Sequence, residues 1–215
     1  GGIVMRIDVW SDLICPWCGL GKHRLEAALS RLPEGEEAEV VYHSFQLDPN
    51  APAEAQSVRE LLKSKYGLDE AGFRSATGRI EHMAEAEGLT PYHVGDNLSG
   101  NTALAHQVLA LAADKGLAEQ AWDRLYRAHF GERRSIFDID SLVELGSEIG
   151  LDPAEVREAL ETGRYAARVQ DEGMQARRIG ATGVPFFVID GKYAVSGAQS
   201  PDVLLSVFEQ VKAAS

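Results

Sequence analysis

Residues 3–29 read IVMRIDVWSDLICPWCGLGKHRLEAAL, and both cysteines of the chain, Cys15 and Cys18, lie in the middle of this stretch. Residues 3–10 are rich in β-branched side chains and partly alternate, which predicts a strand. From Leu20 onward, apolar residues recur at three- and four-residue spacing, which predicts an amphipathic helix. The cysteine pair therefore lies where a strand passes into the start of a helix.

The rest of the chain contains further strand and helix patterns. Residues 39–47 predict a second strand, which completes a β-α-β unit with parallel strands. Near the other end, residues 185–189 and 192–195 predict two strands joined by the hairpin turn Asp190-Gly191. A last helix begins at Ser200, whose hydroxyl is a favourable N-cap.

Between these strands, helical periodicity predicts a series of helices without an intervening strand. Glycines separate segments near residues 57–66, 69–87, 101–116, 118–130, 138–150, 153–161 and 165–179. The order of elements predicts an α/β protein with a thioredoxin-like fold and a large all-α insertion domain. We assign residues 1–55 and 180–215 to the thioredoxin-like domain and residues 56–179 to the helical insertion.

Composition and charge argue against several classes of protein. The chain has 215 residues, of which 45% are apolar and 25% are charged, and this composition argues against disorder. Its 33 acidic and 21 basic residues give a net charge of −12, which argues against nucleic-acid binding. Neither a signal-peptide pattern nor an apolar run of the ~20 residues that span a membrane is evident. We therefore expect a cytoplasmic protein without nucleic-acid or membrane partners, for which a homodimer is the default assembly.

The cysteine pair has the spacing of a redox site. At the start of a helix, unpaired backbone N–H groups and the positive end of the helix dipole stabilise a thiolate at Cys15. Cys18, one turn later, can then resolve a mixed disulfide formed by Cys15. Pro16 and Trp17 between the cysteines add no negative charge, so we predict that the pKa of Cys15 lies below that of an ordinary cysteine.

A second motif, Thr182-Gly183-Val184-Pro185, immediately precedes a predicted strand. An X-Pro bond adopts the cis form at modest cost, and a cis proline presents the preceding backbone to an extended peptide. From the predicted fold we infer that the N–H and C=O groups of Val184 bind the main chain of a substrate. Pro185 would shield the thiols and keep metal ions away from them.

Several stretches of the sequence resemble the DsbA-like thioredoxin family, in particular its FrnE-like branch. They are Cys15-Pro16-Trp17-Cys18, Gly21-Lys22-His23-Arg24-Leu25-Glu26, Ser44-Phe45-Gln46-Leu47-Asp48-Pro49, Asn101-Thr102-Ala103-Leu104-Ala105-His106, Thr182-Gly183-Val184-Pro185-Phe186-Phe187 and Val195-Ser196-Gly197-Ala198-Gln199. These matches span nearly the whole chain. The resemblance implies a thioredoxin fold with a helical insertion, a redox CxxC, a cis proline at Pro185 and activity on protein thiols and disulfides.

The resemblance favours a thiol–disulfide oxidoreductase in which Cys15 attacks and Cys18 resolves, with no bound cofactor and with glutathione or another thiol as redox partner. Related kappa-class glutathione transferases and 2-hydroxychromene-2-carboxylate isomerases carry serine where this chain has Cys15, which argues against glutathione-dependent isomerisation. Two alternatives remain. One is a glutathione-dependent transferase or isomerase of an aromatic or polyketide-like small molecule, and the other is a non-catalytic, chaperone-like binding protein.

Other residues have structural explanations that compete with a functional one. A zinc site at the cysteines would need further ligands, and the histidines lack the spacing of a finger-like site, so we expect no metal. Pro185 could simply begin a strand. His43 and His106 have apolar neighbours, which favours partnered, partly buried side chains over catalytic ones. Asn101 could cap the following helix as well as bind a ligand.

Overall fold

A computed structural model describes residues 3–215. The strands are β1 Ile3–Ser11, β2 Glu36–Ser44, β3 Gln56–Ser57, β4 Leu98–Ser99, β5 Phe186–Ile189 and β6 Tyr193–Ser196. The helices are α1 Pro16–Leu29, α2 Val58–Tyr66, α3 Glu70–Ala86, α4 Ala103–Asp114, α5 Ala118–Tyr126, α6 Ile139–Glu148, α7 Pro153–Thr162, α8 Ala166–Arg178 and α9 Pro201–Ala214. A π-helical turn, Arg127–Gly131, follows α5 directly. The predicted α/β class with a helical insertion is confirmed.

A four-stranded mixed sheet has the order β2-β1-β5-β6. β1 pairs in parallel with β2, which is the predicted β-α-β unit, and antiparallel with β5. β5 and β6 form the predicted hairpin. Its turn residues Asp190 and Gly191 have φ angles of 52° and 70°. The Asp-Gly pair suits this turn because aspartate and glycine tolerate positive φ better than most residues.

The two faces of this sheet bury different clusters of side chains. One face packs against α1 and α9, and its buried residues are Met5, Ile7, Val9, Leu25, Ala28, Phe187, Ile189, Leu204, Phe208 and Val211. A second cluster contains Trp10, Phe45, Ala176, Ala181 and Phe186, with Val184 and Val188 packed against it. Alternate residues of β1 enter different clusters, as the two-residue period of a strand requires.

The two helices that pack against the sheet, α1 and α9, begin at residues that favour the start of a helix. Pro16 occupies the first turn of α1, where the missing N–H of proline costs no helical hydrogen bond. Ser200 is the N-cap of α9, and its hydroxyl accepts a hydrogen bond from the N–H of Val203 at 3.2 Å. The predicted start of the last helix is thereby confirmed.

The chain divides into two compact units, one that runs to Leu47 and resumes at Gln170, and one formed by Asp48–Val169. The sequence predicted boundaries after residues 55 and 179, and both observed boundaries lie earlier in the chain. The first lies earlier because Asn101 donates hydrogen bonds to the carbonyl groups of Pro49 and Ala51, which ties that loop to the helical unit. The second lies earlier because the C-terminal half of α8 packs in the cluster of Trp10.

The helical unit contains α2 to α7 and most of its core lies around α4, whose residues 105–112 are all buried. The expectation that no strand interrupts the helices is wrong, because β3 and β4 form a two-residue antiparallel ladder. Such a short pairing has no periodicity that a sequence could reveal.

Within residues 3–215, no helix combines the length and apolar character needed to cross a membrane.

Candidate active site

Cys15 is the N-cap residue of α1 and Cys18 lies in the first turn of that helix. The Cys15 carbonyl accepts hydrogen bonds from the N–H groups of Cys18 at 3.0 Å and Gly19 at 3.3 Å. Both cysteines are free thiols, with Cys15 7% exposed and Cys18 completely buried. Of the two residues, only Cys15 therefore retains any exposed surface.

The pKa values of the two thiols are shifted in opposite directions. A hydrogen bond from the Cys18 thiol, assisted by backbone N–H groups of Cys18 and Trp17, lowers the pKa of Cys15, although burial and the Asp12 carboxylate oppose this shift. Burial and the neighbouring Cys15 sulfur raise the pKa of Cys18 well above its ordinary value. The predicted direction for Cys15 is confirmed, and Cys15 is the better nucleophile of the pair.

Val184 and Pro185 lie next to this thiol. The Cys15 Sγ atom is 3.8 Å from the carbonyl oxygen of Val184, and the Val184–Pro185 peptide bond is cis. Pro185 is buried, and β5 begins at the following residue. Within the first turn of α1, Trp17 remains 37% exposed. The structure thus brings the two motifs that sequence reasoning singled out to one end of the sheet.

Asp12 is a component of the site that sequence reasoning missed, because an acidic residue between a strand and a helix is also typical of an ordinary turn. Its side chain is completely buried. One carboxylate oxygen accepts a hydrogen bond from the N–H of Leu13, and the other from the N–H of Leu47, both at 2.8 Å. Asp12 therefore joins the segment before Cys15 to the segment that follows β2, and places a negative charge near both thiols.

Gly21 and Arg24 join α1 to the segments on either side of the β5–β6 hairpin. A Cβ atom at Gly21 would lie 3.0 Å from Cγ of Pro185 and 3.5 Å from Cβ of Ala198. The Arg24 guanidinium donates a hydrogen bond of 2.6 Å to the Ala198 carbonyl. A side chain at position 21 would therefore force Pro185 or α1 to shift by a few tenths of an ångström.

The motif around Phe45, one of those that resemble the DsbA-like family, also holds a segment near the cysteines in place. The N–H of Phe45 donates a hydrogen bond of 3.0 Å to the carbonyl of Ser11, just beyond the pairing of β1 with β2. Together with the Asp12–Leu47 hydrogen bond, this contact fixes the segment that enters the cysteine pair. The motif at residues 44–49 thus supports the backbone that leads to the cysteine pair.

The two histidines are partnered side chains, as the sequence predicted. His43 Nε2 lies 2.7 Å from a carboxylate oxygen of Asp8, and its ring stacks on Trp10 with 4.4 Å between centroids. His106 is completely buried and packs edge-on against Trp122. Both residues therefore have structural roles in their own units.

Thr102 is the N-cap residue of α4, so the predicted N-cap at Asn101 is one residue too early, but Asn101 still serves the start of the helix. Its side-chain oxygen accepts a hydrogen bond of 2.9 Å from the N–H of Ala103, the first residue of the helix.

Across residues 3–215, no three acidic, histidine or cysteine side chains are grouped closely enough to form a metal site. The described part of the chain thus offers the cysteines no additional ligands for zinc.

A four-stranded sheet of this order with a cysteine pair at the start of α1 defines the class of thioredoxin-like domains. A family model of the DsbA-like thioredoxin domain matches residues 6–209. The chain therefore belongs to the DsbA-like thioredoxin family, as the sequence motifs implied.

Individual relatives agree with this assignment. The chain is 31% identical over 206 residues to the uncharacterized protein YwbO of Bacillus subtilis, with 94% of each chain covered. It is 41% identical to a probable DsbA oxidoreductase from Streptomyces coelicolor, with a TM-score of 0.91 over 96% of this chain and 89% of that one. The cytosolic disulfide reductase DsbM of Pseudomonas aeruginosa shares the fold, with 22% identity and a TM-score of 0.63 over 98% of this chain and all of that one.

Proposed function

We propose that this protein is a thiol–disulfide oxidoreductase that acts on the disulfides and dithiols of other proteins. The observation that carries the proposal is a Cys15 thiol of lowered pKa beside a buried Cys18 thiol of raised pKa, both in one helix start. A thiolate can attack a substrate disulfide and form a mixed disulfide with it. The neighbouring thiol of the same chain can then resolve this mixed disulfide. This chemistry needs no bound cofactor because the two sulfur atoms carry the electrons.

In the reductive direction, the Cys15 thiolate attacks one sulfur of a substrate disulfide, forms a mixed disulfide and releases the other sulfur as a thiolate. Cys18 then loses its proton and attacks the Cys15 sulfur, which forms the Cys15–Cys18 disulfide and releases the second substrate sulfur. Two electrons pass from the protein to the substrate, whose two thiolates take up the Cys18 proton and one proton from solvent. Two molecules of a thiol such as glutathione return the electrons. The reverse sequence oxidises a substrate dithiol.

We assign substrate binding to Val184 and Pro185. The 3.8 Å distance between the Val184 carbonyl and Cys15 Sγ supports this assignment, because an extended substrate that paired with the Val184 backbone would carry its disulfide past the thiol. Trp17, which is partly exposed in the same helical turn, would offer an apolar ring to the substrate, and Pro16 would support the turn.

The proposal is tested by the reduction of insulin disulfides with glutathione as electron donor. We expect turnover by the wild type and none by Cys15→Ser. Cys18→Ser keeps the nucleophile but lacks the resolving thiol, so it should accumulate a mixed disulfide that mass spectrometry detects and dithiothreitol releases. Insulin reduction by Cys15→Ser at the wild-type rate would contradict the proposal.

The same variants distinguish the two alternative functions. Glutathione-dependent turnover of an aromatic small molecule that survives in Cys15→Ser would identify a transferase or isomerase. Suppression of aggregation that is independent of both cysteines would identify a chaperone-like protein. Either result without disulfide exchange would replace the oxidoreductase proposal.

We further propose that the chain belongs to the FrnE-like branch and works in the cytoplasm as a homodimer. The motifs quoted above support the branch, and the cytosolic location of the structurally similar DsbM is consistent with the compartment. Cell fractionation tests the location, and light scattering of the purified protein tests the assembly. Recovery in a periplasmic or extracellular fraction, or a monomer mass, would contradict the respective proposal.

A further inference from the structure

Arg177 is an exposed side chain near the end of α8 whose guanidinium group is held in place by an aromatic ring. The guanidinium carbon lies 5.0 Å from the centroid of the Phe45 ring. Phe45 itself is 6% exposed and belongs to the cluster of Trp10 and Phe186. This cation–π contact with a buried ring restrains the arginine side chain, and the N–H groups of a guanidinium suit a carboxylate.

No carboxylate of residues 3–215 forms an ion pair with Arg177, whose single described interaction is the one with Phe45. Some other basic side chains of the same unit do have such partners, and these pairs are Arg6 with Asp8, Arg31 with Asp202 and Lys212 with Glu36. Arg177 differs from Arg178, which also has no described carboxylate partner, in its contact with an aromatic ring. In a chain with 33 acidic and 21 basic residues, an arginine that is restrained by a ring and has no carboxylate partner among the described residues can bind an external anion.

Phe45 also connects Arg177 to the active site. Val184 packs against the cluster that contains Phe45, and the carbonyl of Val184 is 3.8 Å from Cys15 Sγ. The N–H of Phe45 also donates a hydrogen bond to the carbonyl of Ser11, four residues before Cys15, so the ring beneath Arg177 is tied to the segment that enters the cysteine pair.

We propose that Arg177, whose guanidinium lies over the Phe45 ring, binds a carboxylate of the disulfide substrate and so makes the site selective for disulfides that carry negative charge near the sulfur. This inference rests on the proposed oxidoreductase function and names its substrate class. The net charge of −12 on the whole chain would repel such substrates, and a local, preoriented guanidinium reverses that preference at the site.

The test compares two small disulfides that differ in charge. The reduced protein is mixed with 5,5′-dithiobis(2-nitrobenzoate), which carries two carboxylates, or with neutral 4,4′-dithiodipyridine, and the second-order rate constants are measured. Arg177→Gln should slow the reaction with the anionic disulfide about threefold or more, in the range of a surface ion pair, and leave the reaction with the neutral one unchanged. High salt should remove the difference between the wild type and the variant.

Arg178→Gln is the matched control, because Arg178 is the next residue, is exposed, and has no described aromatic or carboxylate partner. It makes the same change in net charge, so we expect a clearly smaller effect on the anionic disulfide. The carboxylate site would be overturned if Arg177→Gln and Arg178→Gln had equal effects, or if Arg177→Gln slowed the reactions with both disulfides equally. Either result would leave the proposed oxidoreductase function standing. A wild type that reacts with neither disulfide would overturn the oxidoreductase function itself.

The carboxylate could come from a small disulfide or from an acidic residue beside a protein cystine. Oxidised glutathione represents the first source, and a pair of disulfide-linked peptides with Glu or Gln next to the cysteine represents the second. Slower reaction of Arg177→Gln with oxidised glutathione supports the small-molecule source. Loss of the preference for the Glu peptide over the Gln peptide supports the protein source. If Arg177→Gln changes neither, the proposal is wrong.

Discussion

Gly21 and Pro185 approach each other so closely that a methyl group on Gly21 would lie 3.0 Å from Cγ of the proline. Through this contact the helix that carries both cysteines lies directly against the residue that follows Val184. The geometry between Cys15 and Val184 therefore depends on the absence of a side chain at position 21.

Gly21→Ala should lower stability and slow disulfide exchange, because its Cβ atom displaces Pro185 from α1. Gly78→Ala is the matched control, since Gly78 lies within α3 and a Cβ atom there meets nothing within 4 Å. Removing glycine from that helix should stabilise the protein by roughly 0.5–1 kcal/mol. Urea unfolding and insulin reduction provide the two measurements. Equal stabilisation by both substitutions would show that the Gly21 contact is easily accommodated.

Cys18→Ala should raise the pKa of Cys15, because it removes the hydrogen bond that contributes most to lowering this pKa. In the wild type, alkylation of Cys15 by iodoacetamide should therefore remain fast as the pH falls below ~8.5, the ordinary cysteine value, and decline only below the lowered pKa. In Cys18→Ala the same decline should begin at higher pH. Cys18→Ser retains an O–H donor, so the pKa of Cys15 in this variant should lie between its values in the wild type and in Cys18→Ala. A midpoint in Cys18→Ala at or below that of the wild type would contradict this explanation.

Asp12→Asn should shift the pKa of Cys15 further down, because the Asp12 carboxylate opposes the Cys15 thiolate. A more stable thiolate favours the reduced protein, so the reduction potential should rise. Asparagine can accept from only one of the N–H groups of Leu13 and Leu47 through its single oxygen, so stability should fall by about 1–3 kcal/mol.

Glu34→Gln makes the same change in charge at an exposed position and serves as the control for Asp12→Asn. It should leave the pKa, the potential and the stability unchanged. Thiolate absorbance against pH and a redox titration against glutathione measure the first two. A lower reduction potential in Asp12→Asn would refute the electrostatic argument.

Ser200→Ala should destabilise the protein by about 1 kcal/mol, because the Val203 N–H loses its hydrogen-bond acceptor at the start of α9. Ser200→Gly should cost only a few tenths of a kcal/mol at the same N-cap. Chemical unfolding of the two variants beside the wild type is sufficient to measure the difference. A larger loss for glycine than for alanine would assign the effect to backbone flexibility instead of capping.

Much of the fold was predictable because its signals are local. The alternation around Val9 and the Asp190-Gly191 turn depend on the preferences of adjacent residues, and the structure contains both the strand and the hairpin. The N-cap at Ser200 is read from neighbouring residues in the same way. The two-residue ladder of β3 and β4 was missed because so short a pairing leaves no periodic trace.

The sequence by itself determined that a cysteine pair lies at a helix start, and this local placement already predicted a Cys15 thiol of lowered pKa. Only the tertiary structure decided that Asp12 is buried beside that pair, that Gly21 lies against Pro185, and that the Arg177 guanidinium lies over the Phe45 ring. The physical reason is that the contacts of Asp12 with Leu47, of Gly21 with Pro185 and of Arg177 with Phe45 join residues far apart in the chain. Their formation depends on how completed strands and helices pack, which no short stretch of sequence specifies.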